Sequence, residues 1–185
     1  MSYSRKKVAP IIASIVGALL VAFLWVLVTA EPNTADDADS PLLGQPAPSV
    51  VSTTLDDEEF VLANRKGSWV IFNFFNSTCV PCIAEHPELV AFNERELQAS
   101  NPAEIYTVIN DDNDASVRAF FAKNGGDWQK VRDTDGAISV AFGVAKVPET
   151  WVIDPNGYVR LRIAGMLTPG LLDDQLAQLK TQFGS

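Results

Sequence analysis

The chain of 185 residues contains two cysteines, Cys79 and Cys82, which are separated by Val80 and Pro81. Cysteines at positions i and i+3 share one face of a helix. We expect the first thiol to meet solvent and the second to lie half buried behind it, as is needed to attack a foreign disulfide and then release the mixed disulfide. The spacing predicts a thiol-disulfide redox centre that needs no cofactor beyond the Cys79–Cys82 disulfide.

The cysteine pair has two alternative uses. A purely structural disulfide that closes so short a loop removes little entropy from the unfolded chain and stabilises it weakly. A zinc site needs two further ligands, and the single histidine, His86, is too close to Cys82 to be an independent ligand arm. We therefore expect no metal site.

The segments around the cysteines explain how the pair is positioned. The apolar run Trp69–Phe75 predicts a buried strand, and a short polar turn then brings Cys79 to the start of a helix. Pro81 fits the first helical turn, where its missing N–H is not needed. Pro87 is expected to kink this helix, which continues to about Ser100.

The rest of the chain predicts an α/β domain. The run Ile105–Ile109 follows a long helical crossover, which favours a parallel strand, and the turn Asp154–Gly157 predicts an antiparallel hairpin. Further strands are predicted over Ser49–Thr54, Phe60–Leu62, Glu149–Ile153 and Tyr158–Ile163, and further helices over Asp114–Lys123, over Gly136–Phe142 and from Thr168 onwards.

The N-terminal part predicts a membrane anchor. Residues 8–30 carry no charge, follow three basic residues and precede acidic ones, which places the N-terminus in the cytoplasm and the domain outside. A cleaved signal peptide is the alternative, and it too exports the domain. The predicted organisation is a cytoplasmic N-terminus (1–7), a transmembrane anchor (8–30), a flexible acidic linker (31–42) and a folded domain (43–185).

Charge excludes one class of partner. All 23 acidic residues follow Ala30, whereas three of the 14 basic residues precede it. The exported part therefore has 11 basic against 23 acidic residues, a formal charge of −12. A surface this acidic repels phosphate backbones, so we expect no nucleic acid partner.

Several motifs together resemble a known family. They are C-x-x-C-x-x-E-H-P over Cys79–Pro87, Phe142–Val144 with Pro148–Thr150, Val152–Asp154 with Gly157, and Gly44–Pro48. From about Leu43 onwards the chain resembles the thioredoxin superfamily and, more narrowly, the membrane-anchored oxidoreductases of cytochrome c maturation (the CcmG/DsbE and TlpA-like group). The resemblance implies a thioredoxin-like fold, with a central mixed sheet flanked by helices. Thr78 stands where these proteins often carry a tryptophan.

The expected roles are as follows. Cys79 at the helix N-terminus is the nucleophile and Cys82 resolves the mixed disulfide. The resemblance implies that Glu85 lies beneath the disulfide and shuttles a proton, the alternative being a solvated residue of the helix face. It also implies that Val147–Pro148 is cis and binds an extended substrate, the alternative being a plain turn proline. His86 is expected to cap a surface turn.

The resemblance implies an extracytoplasmic enzyme that reduces cysteines of apocytochrome c. Its expected partners are a transmembrane thiol-disulfide donor, an apocytochrome c or assembly factor, and the cytoplasmic membrane. The alternatives are a general exported disulfide oxidant or isomerase, a thiol peroxidase, and a non-catalytic binding module with a structural disulfide.

Overall fold

The computed structural model describes residues 8–29, 36–37 and 39–184. Helix α1 (Val8–Thr29) forms one unit, and all other elements form a second. Within the described ranges, no helix is both long enough and apolar enough to cross a membrane. The predicted cytoplasmic segment 1–7 and much of the predicted linker lie outside the described residues.

The second unit contains both strands and helices. Its strands are β1 (Asp36–Asp37), β2 (Val51–Thr53), β3 (Glu59–Val61), β4 (Trp69–Phe75), β5 (Ala103–Ile109), β6 (Lys130–Arg132), β7 (Glu149–Ile153) and β8 (Val159–Ala164). Its helices are α2 (Val80–Glu96), α3 (Asp114–Asn124), α4 (Ala137–Phe142) and α5 (Leu171–Phe183), with a 3-10 helix over Leu62–Arg65.

Six strands form one mixed sheet in the order β1-β8-β7-β4-β5-β6. β4 pairs in parallel with β5 and β5 with β6, whereas β7 runs antiparallel to both β4 and β8. The parallel crossover through α2 and the hairpin of β7 and β8 are both as predicted. Strands β2 and β3 form a separate two-stranded sheet.

The sheet separates two apolar clusters. Helices α2, α3 and α5 cover one face, where Ile71, Phe75 and Val152 point, and β3 and α4 cover the other, where Phe72, Phe74 and Trp151 point. β4 is buried over its whole length because both of its faces are covered. The central mixed sheet flanked by helices confirms the α/β fold predicted for the folded domain.

Some local predictions are corrected by the structure. The cap of α3 is Asn113 and not Asp114, because the Asn113 side chain accepts the N–H of Ser116. Helix α5 begins at Leu171, after Gly170, instead of at Thr168. Strand β6 was missed because three residues are too few to show a period. β1 adds Asp36–Asp37, part of the predicted linker, to the edge of the sheet beside β8.

The packing of α5 on the sheet is testable with two leucines. Leu176 is 1% exposed, whereas Leu97, at the end of α2, is 68% exposed. We expect Leu176→Ala to lower the free energy of unfolding by about 2 to 5 kcal/mol, because it leaves a cavity. The control Leu97→Ala should change it by less than about 0.5 kcal/mol. Denaturant titration measures both, and equal losses would contradict the packing described.

Candidate active site

The loop before Cys79 is held by the loop that follows β5. Asn76 Nδ2 donates to the carbonyl oxygens of Asn110 (3.0 Å) and Asp111 (2.7 Å). The backbone N–H of Ser77 donates to Asp112 Oδ2 at 2.6 Å. These loops follow neighbouring parallel strands, so they meet at the same edge of the sheet. Hydrogen bonds between the loops that follow β4 and β5 thus hold Cys79 in position.

Cys79 is the N-cap residue of α2. Its Sγ accepts the backbone N–H of Cys82 at 3.3 Å, and Pro81 lies in the first turn as predicted. The two cysteines form a disulfide, with their Cα atoms 5.2 Å apart. Cys79 is partly exposed and Cys82 is fully buried, so one sulfur is accessible to a partner. The N–H groups and dipole of the helix N-terminus favour a thiolate at Cys79.

The Val147–Pro148 segment lies against the disulfide. The peptide bond between these residues is cis, and the Val147 carbonyl oxygen lies 3.6 Å from Cys79 Sγ. Pro148 is buried, and its carbonyl oxygen accepts the N–H of Gly165 at 3.0 Å. Val147 remains partly exposed beside the accessible sulfur. A chain that approaches Cys79 therefore passes the backbone of Val147.

Glu85 is buried one helical turn after Cys82. It is 1% exposed, its Oε1 accepts Asn73 Nδ2 at 2.8 Å and its Oε2 accepts the Leu167 N–H at 2.8 Å. Burial raises the pKa of Glu85 to about 7, although both hydrogen bonds act in the opposite direction. The alternative of a solvated helix-face residue does not hold. A carboxyl with this pKa is able to exchange a proton near neutral pH.

His86 is not the surface turn residue that the sequence predicted. It lies inside α2, is 2% exposed, and its Nε2 donates to the carbonyl oxygen of Gly125 at 3.1 Å. Its ring contacts those of Phe120, Phe121 and Trp128. Burial lowers the pKa of His86. The prediction is wrong because the aromatic side chains that cover this ring come from α3 and the loop after it.

The sequence prediction missed the polar residues that support the site. Asn73 and Thr150 lie opposite each other on β4 and β7, and Asn73 Nδ2 donates to Thr150 Oγ1 at 3.2 Å. A single amide within the apolar run of β4 was the available signal, since buried polar groups need partners. In the described part of the chain, no cluster of three or more histidine, cysteine or acidic residues is arranged to hold a metal ion.

Comparison with known proteins agrees with this geometry. The sequence profile of the AhpC/TSA family matches residues 43–162, more than half of the chain. The chain belongs to this family, within the thioredoxin superfamily. The resemblance stated from the motifs is confirmed.

Its relatives share most of its length. DsbE of Pseudomonas aeruginosa, a thiol:disulfide interchange protein, is 29% identical and covers 91% of this chain and 88% of its own. HelX of Rhodobacter capsulatus, also a thiol:disulfide interchange protein, is 32% identical, and the match covers 80% of this chain and 81% of HelX. A solved thiol:disulfide interchange protein of the thioredoxin family from Chlorobium tepidum TLS has a TM-score of 0.65 and 25% identity, covering 76% of this chain and 98% of that one. The chain described here, as a member of this family, is a thiol-disulfide oxidoreductase.

The unequal burial of the two sulfurs predicts unequal reactivity. In the reduced protein we expect iodoacetamide to alkylate Cys79 rapidly near neutral pH and Cys82 far more slowly, because only Cys79 is accessible at the helix N-terminus. Mass spectrometry of timed samples identifies the labelled residue. Slow and equal labelling of both thiols would contradict the assignment of Cys79 as nucleophile.

The buried carboxyl predicts a pH-dependent stability. Folding raises the pKa of Glu85 from 4.5 to about 7. Between these two pH values the folded, oxidised protein keeps a proton on the Glu85 carboxyl that the unfolded chain has lost. The free energy of unfolding therefore falls as pH rises through this window, by at most about 1.4 kcal/mol per pH unit from this group. Glu85→Gln should lack this decline.

Denaturant titration at several pH values compares the variants. Glu94→Gln is the matched control, because Glu94 lies exposed on the same helix. We expect the control to follow the unmodified protein. A Glu85→Gln profile that is parallel to the unmodified one would show that Glu85 does not titrate in this window.

Proposed function

We propose that this enzyme is an exported, membrane-anchored reductase that passes electrons from the Cys79–Cys82 pair to cysteines of an apocytochrome c or an assembly factor. The observation that best supports this function is that three features lie next to one disulfide. These are the helix N-terminus at Cys79, the Val147 carbonyl oxygen 3.6 Å from its sulfur, and the buried Glu85 carboxyl behind Cys82. Cysteine reduction before haem attachment is the role that the family resemblance implies.

The first step uses the accessible sulfur. The Cys79 thiolate attacks one sulfur of the substrate disulfide, that disulfide breaks, and the departing substrate thiolate takes a proton from water. Val147 and the cis Pro148 offer their backbone to the extended substrate, in the manner of an added strand. The product is a mixed disulfide between Cys79 and the substrate.

The second step releases the substrate. The Cys82 thiol gives its proton to the Glu85 carboxylate, and the Cys82 thiolate attacks Cys79 Sγ. The mixed disulfide breaks, the Cys79–Cys82 disulfide forms, and the second substrate thiolate takes the proton from Glu85. Two electrons have then moved from the enzyme to the substrate. Cys79, Cys82 and Glu85 are the proposed catalytic residues, and Val147 and Pro148 bind the substrate.

Two opposing electrostatic effects on the cysteine pair support the proposed direction of electron flow. The helix N-terminus favours a thiolate at Cys79, whereas a buried carboxylate opposes a negative charge beside it. The pair should therefore be less oxidising than one in which the helix dipole acts alone, as suits a reductant.

The enzyme needs a donor outside the cytoplasm. A chain with two cysteines has no further pair through which to pass electrons, and cytosolic thioredoxin does not reach an exported domain. We propose that residues 8–30 anchor it in the cytoplasmic membrane, with the N-terminus inside, and that a transmembrane thiol-disulfide protein reduces it. Anchoring raises the effective concentration of the domain near that donor.

Substrate trapping tests this function. In Cys82→Ser the attacking thiol remains and the resolving thiol is gone, so we expect a stable mixed disulfide through Cys79 with an apocytochrome c or an assembly factor. The double variant Cys79→Ser/Cys82→Ser is the control that traps nothing. Non-reducing electrophoresis of membranes from the expressing host, followed by mass spectrometry, identifies the trapped protein.

Other outcomes of the trap each decide against the proposal. A broad set of newly exported proteins would indicate a general oxidant, and no trapped species would exclude the thiol-exchange function proposed. As a defined probe, the reduced protein should reduce a disulfide-bonded peptide with a C-x-x-C-H haem-attachment segment. Peroxide consumption without peptide reduction would favour a thiol peroxidase.

A further inference from the structure

Asn73 lies at the centre of a buried polar contact that the proposed steps leave unused. It is 1% exposed, and its Nδ2 donates both to Glu85 Oε1 (2.8 Å) and to Thr150 Oγ1 (3.2 Å). Among the described residues its Oδ1 is buried and has no hydrogen-bond partner. A buried amide that uses one end and leaves the other unpaired needs a physical reason.

We propose that Asn73 is a positioning residue that hydrogen-bonds Glu85 in both of its protonation states. When the carboxyl gains or loses a proton, the Asn73 carboxamide reverses its orientation, and Thr150 is its second hydrogen-bond partner in both orientations. The inference rests on the proposed proton transfer between Glu85 and Cys82. It assigns the residue that lets this transfer occur in a closed interior without movement of the carboxyl.

The two orientations of the amide are compared by their hydrogen bonds. With Glu85 ionised, the two N–H groups of the amide donate to the carboxylate and to the Thr150 hydroxyl, as the structure has them. With Glu85 neutral and the amide reversed, Oδ1 accepts from the carboxyl O–H and from the Thr150 O–H. The Leu167 N–H bonds Oε2 in both states. Each state therefore has three hydrogen bonds, and the atom of the amide that faces away from Glu85 and Thr150 is unpaired in each: Oδ1 in the ionised state and Nδ2 in the neutral state.

The other titratable groups near Glu85 do not replace its hydrogen bond with Asn73. On the helix of Glu85 they are His86, whose ring is turned away to Gly125, and the two cysteines Cys79 and Cys82, which titrate only when their disulfide is reduced. On β7, side chains alternate, so Glu149 lies on the face opposite Thr150, where Arg162 pairs with it at 2.9 Å. Burial raises the pKa of Glu85, and the bonds from Leu167 and Asn73 lower it. Asn73 is thus the side chain that adjusts the protonation of Glu85.

The proton step then balances without a rearrangement of the backbone. Cys82 S–H loses its proton to Glu85 Oε1, the sulfur becomes a thiolate, and the amide turns so that Oδ1 accepts the new O–H. When Glu85 returns the proton to the departing substrate thiolate, the amide turns back. The unpaired Oδ1 of the structure is the acceptor held for the neutral state.

The first experiment follows the Glu85 carboxyl directly. Carbon-13 NMR of protein labelled at glutamate carboxyls, with Glu85→Gln to assign the signal, gives its titration midpoint in the oxidised protein. We expect Asn73→Leu to move the midpoint upward by about one pH unit, because a hydrogen bond to a carboxylate is stronger than one to a neutral carboxyl. Asn110→Leu removes a partly buried amide bonded to Ser139 and should leave the midpoint unchanged.

Variants of Thr150 keep the test valid if Asn73→Leu does not fold. Thr150→Val keeps the shape and removes the hydroxyl, which leaves an amide N–H unpaired in the ionised state. In the neutral state Oδ1 loses one bond but still accepts the carboxyl O–H, so the loss there is smaller. The midpoint should therefore rise, by less than in Asn73→Leu. Thr150→Ser should restore it. Thr107→Val is the matched control, because Thr107 is equally buried but accepts from Trp128. An unchanged midpoint in Thr150→Val, or in a folded Asn73→Leu, would overturn the inference.

Turning of the amide has its own readout. The side-chain amide signals of Asn73 should change with the same midpoint as the Glu85 carboxyl, and signals constant across that midpoint would refute the reversal. The rate of peptide reduction as a function of pH separates this inference from the proposed function. A shifted carboxyl midpoint with an unshifted rate profile supports Asn73 as the positioning residue and removes Glu85 from the reaction.

Discussion

Burial of one carboxyl group organises the interior of this domain. Removing a charge from water costs several kcal/mol unless partners replace the hydration, and here the compensation is incomplete, so the pKa of Glu85 lies near neutrality. The two partners are Asn73 on β4 and the Leu167 N–H before α5. Three segments distant in sequence are therefore held against each other at the point behind the disulfide.

In the same arrangement, the two cysteines have environments that affect a thiolate in opposite ways. Cys79 meets the N–H groups of the helix N-terminus, which stabilise negative charge, while Cys82 meets an apolar interior with a titratable carboxyl one turn away. A thiolate is thus easy to form at the accessible sulfur and needs a proton acceptor at the buried one. In the proposed mechanism, this difference in environment sets the order of attack and release.

The sequence was sufficient for features with a local signal. The cysteine motif, the buried run of β4 and the hairpin turn were visible because each depends on neighbouring residues, whereas the cis bond at Pro148 was expected only from the family resemblance. The supporting contacts were not, since Ser77 with Asp112 and Asn73 with Thr150 join positions 35 and 77 residues apart. His86 was misplaced for the same reason, as α3 and its following loop supply the rings that bury it.

The surface beside the accessible sulfur has consequences for recognition. Thr78 stands where the resembling proteins often carry a tryptophan, and its N–H and hydroxyl both donate to Asn76 Oδ1, at 2.9 and 2.7 Å. Its side chain therefore stabilises the loop instead of offering a large ring to a partner. What remains next to Cys79 is the backbone of Val147 and the exposed Val80 side chain. Backbone pairing depends on the extended shape of a substrate more than on its side chains. In the proposed mode of binding, the enzyme therefore selects disulfides whose flanking chain can lie extended along Val147.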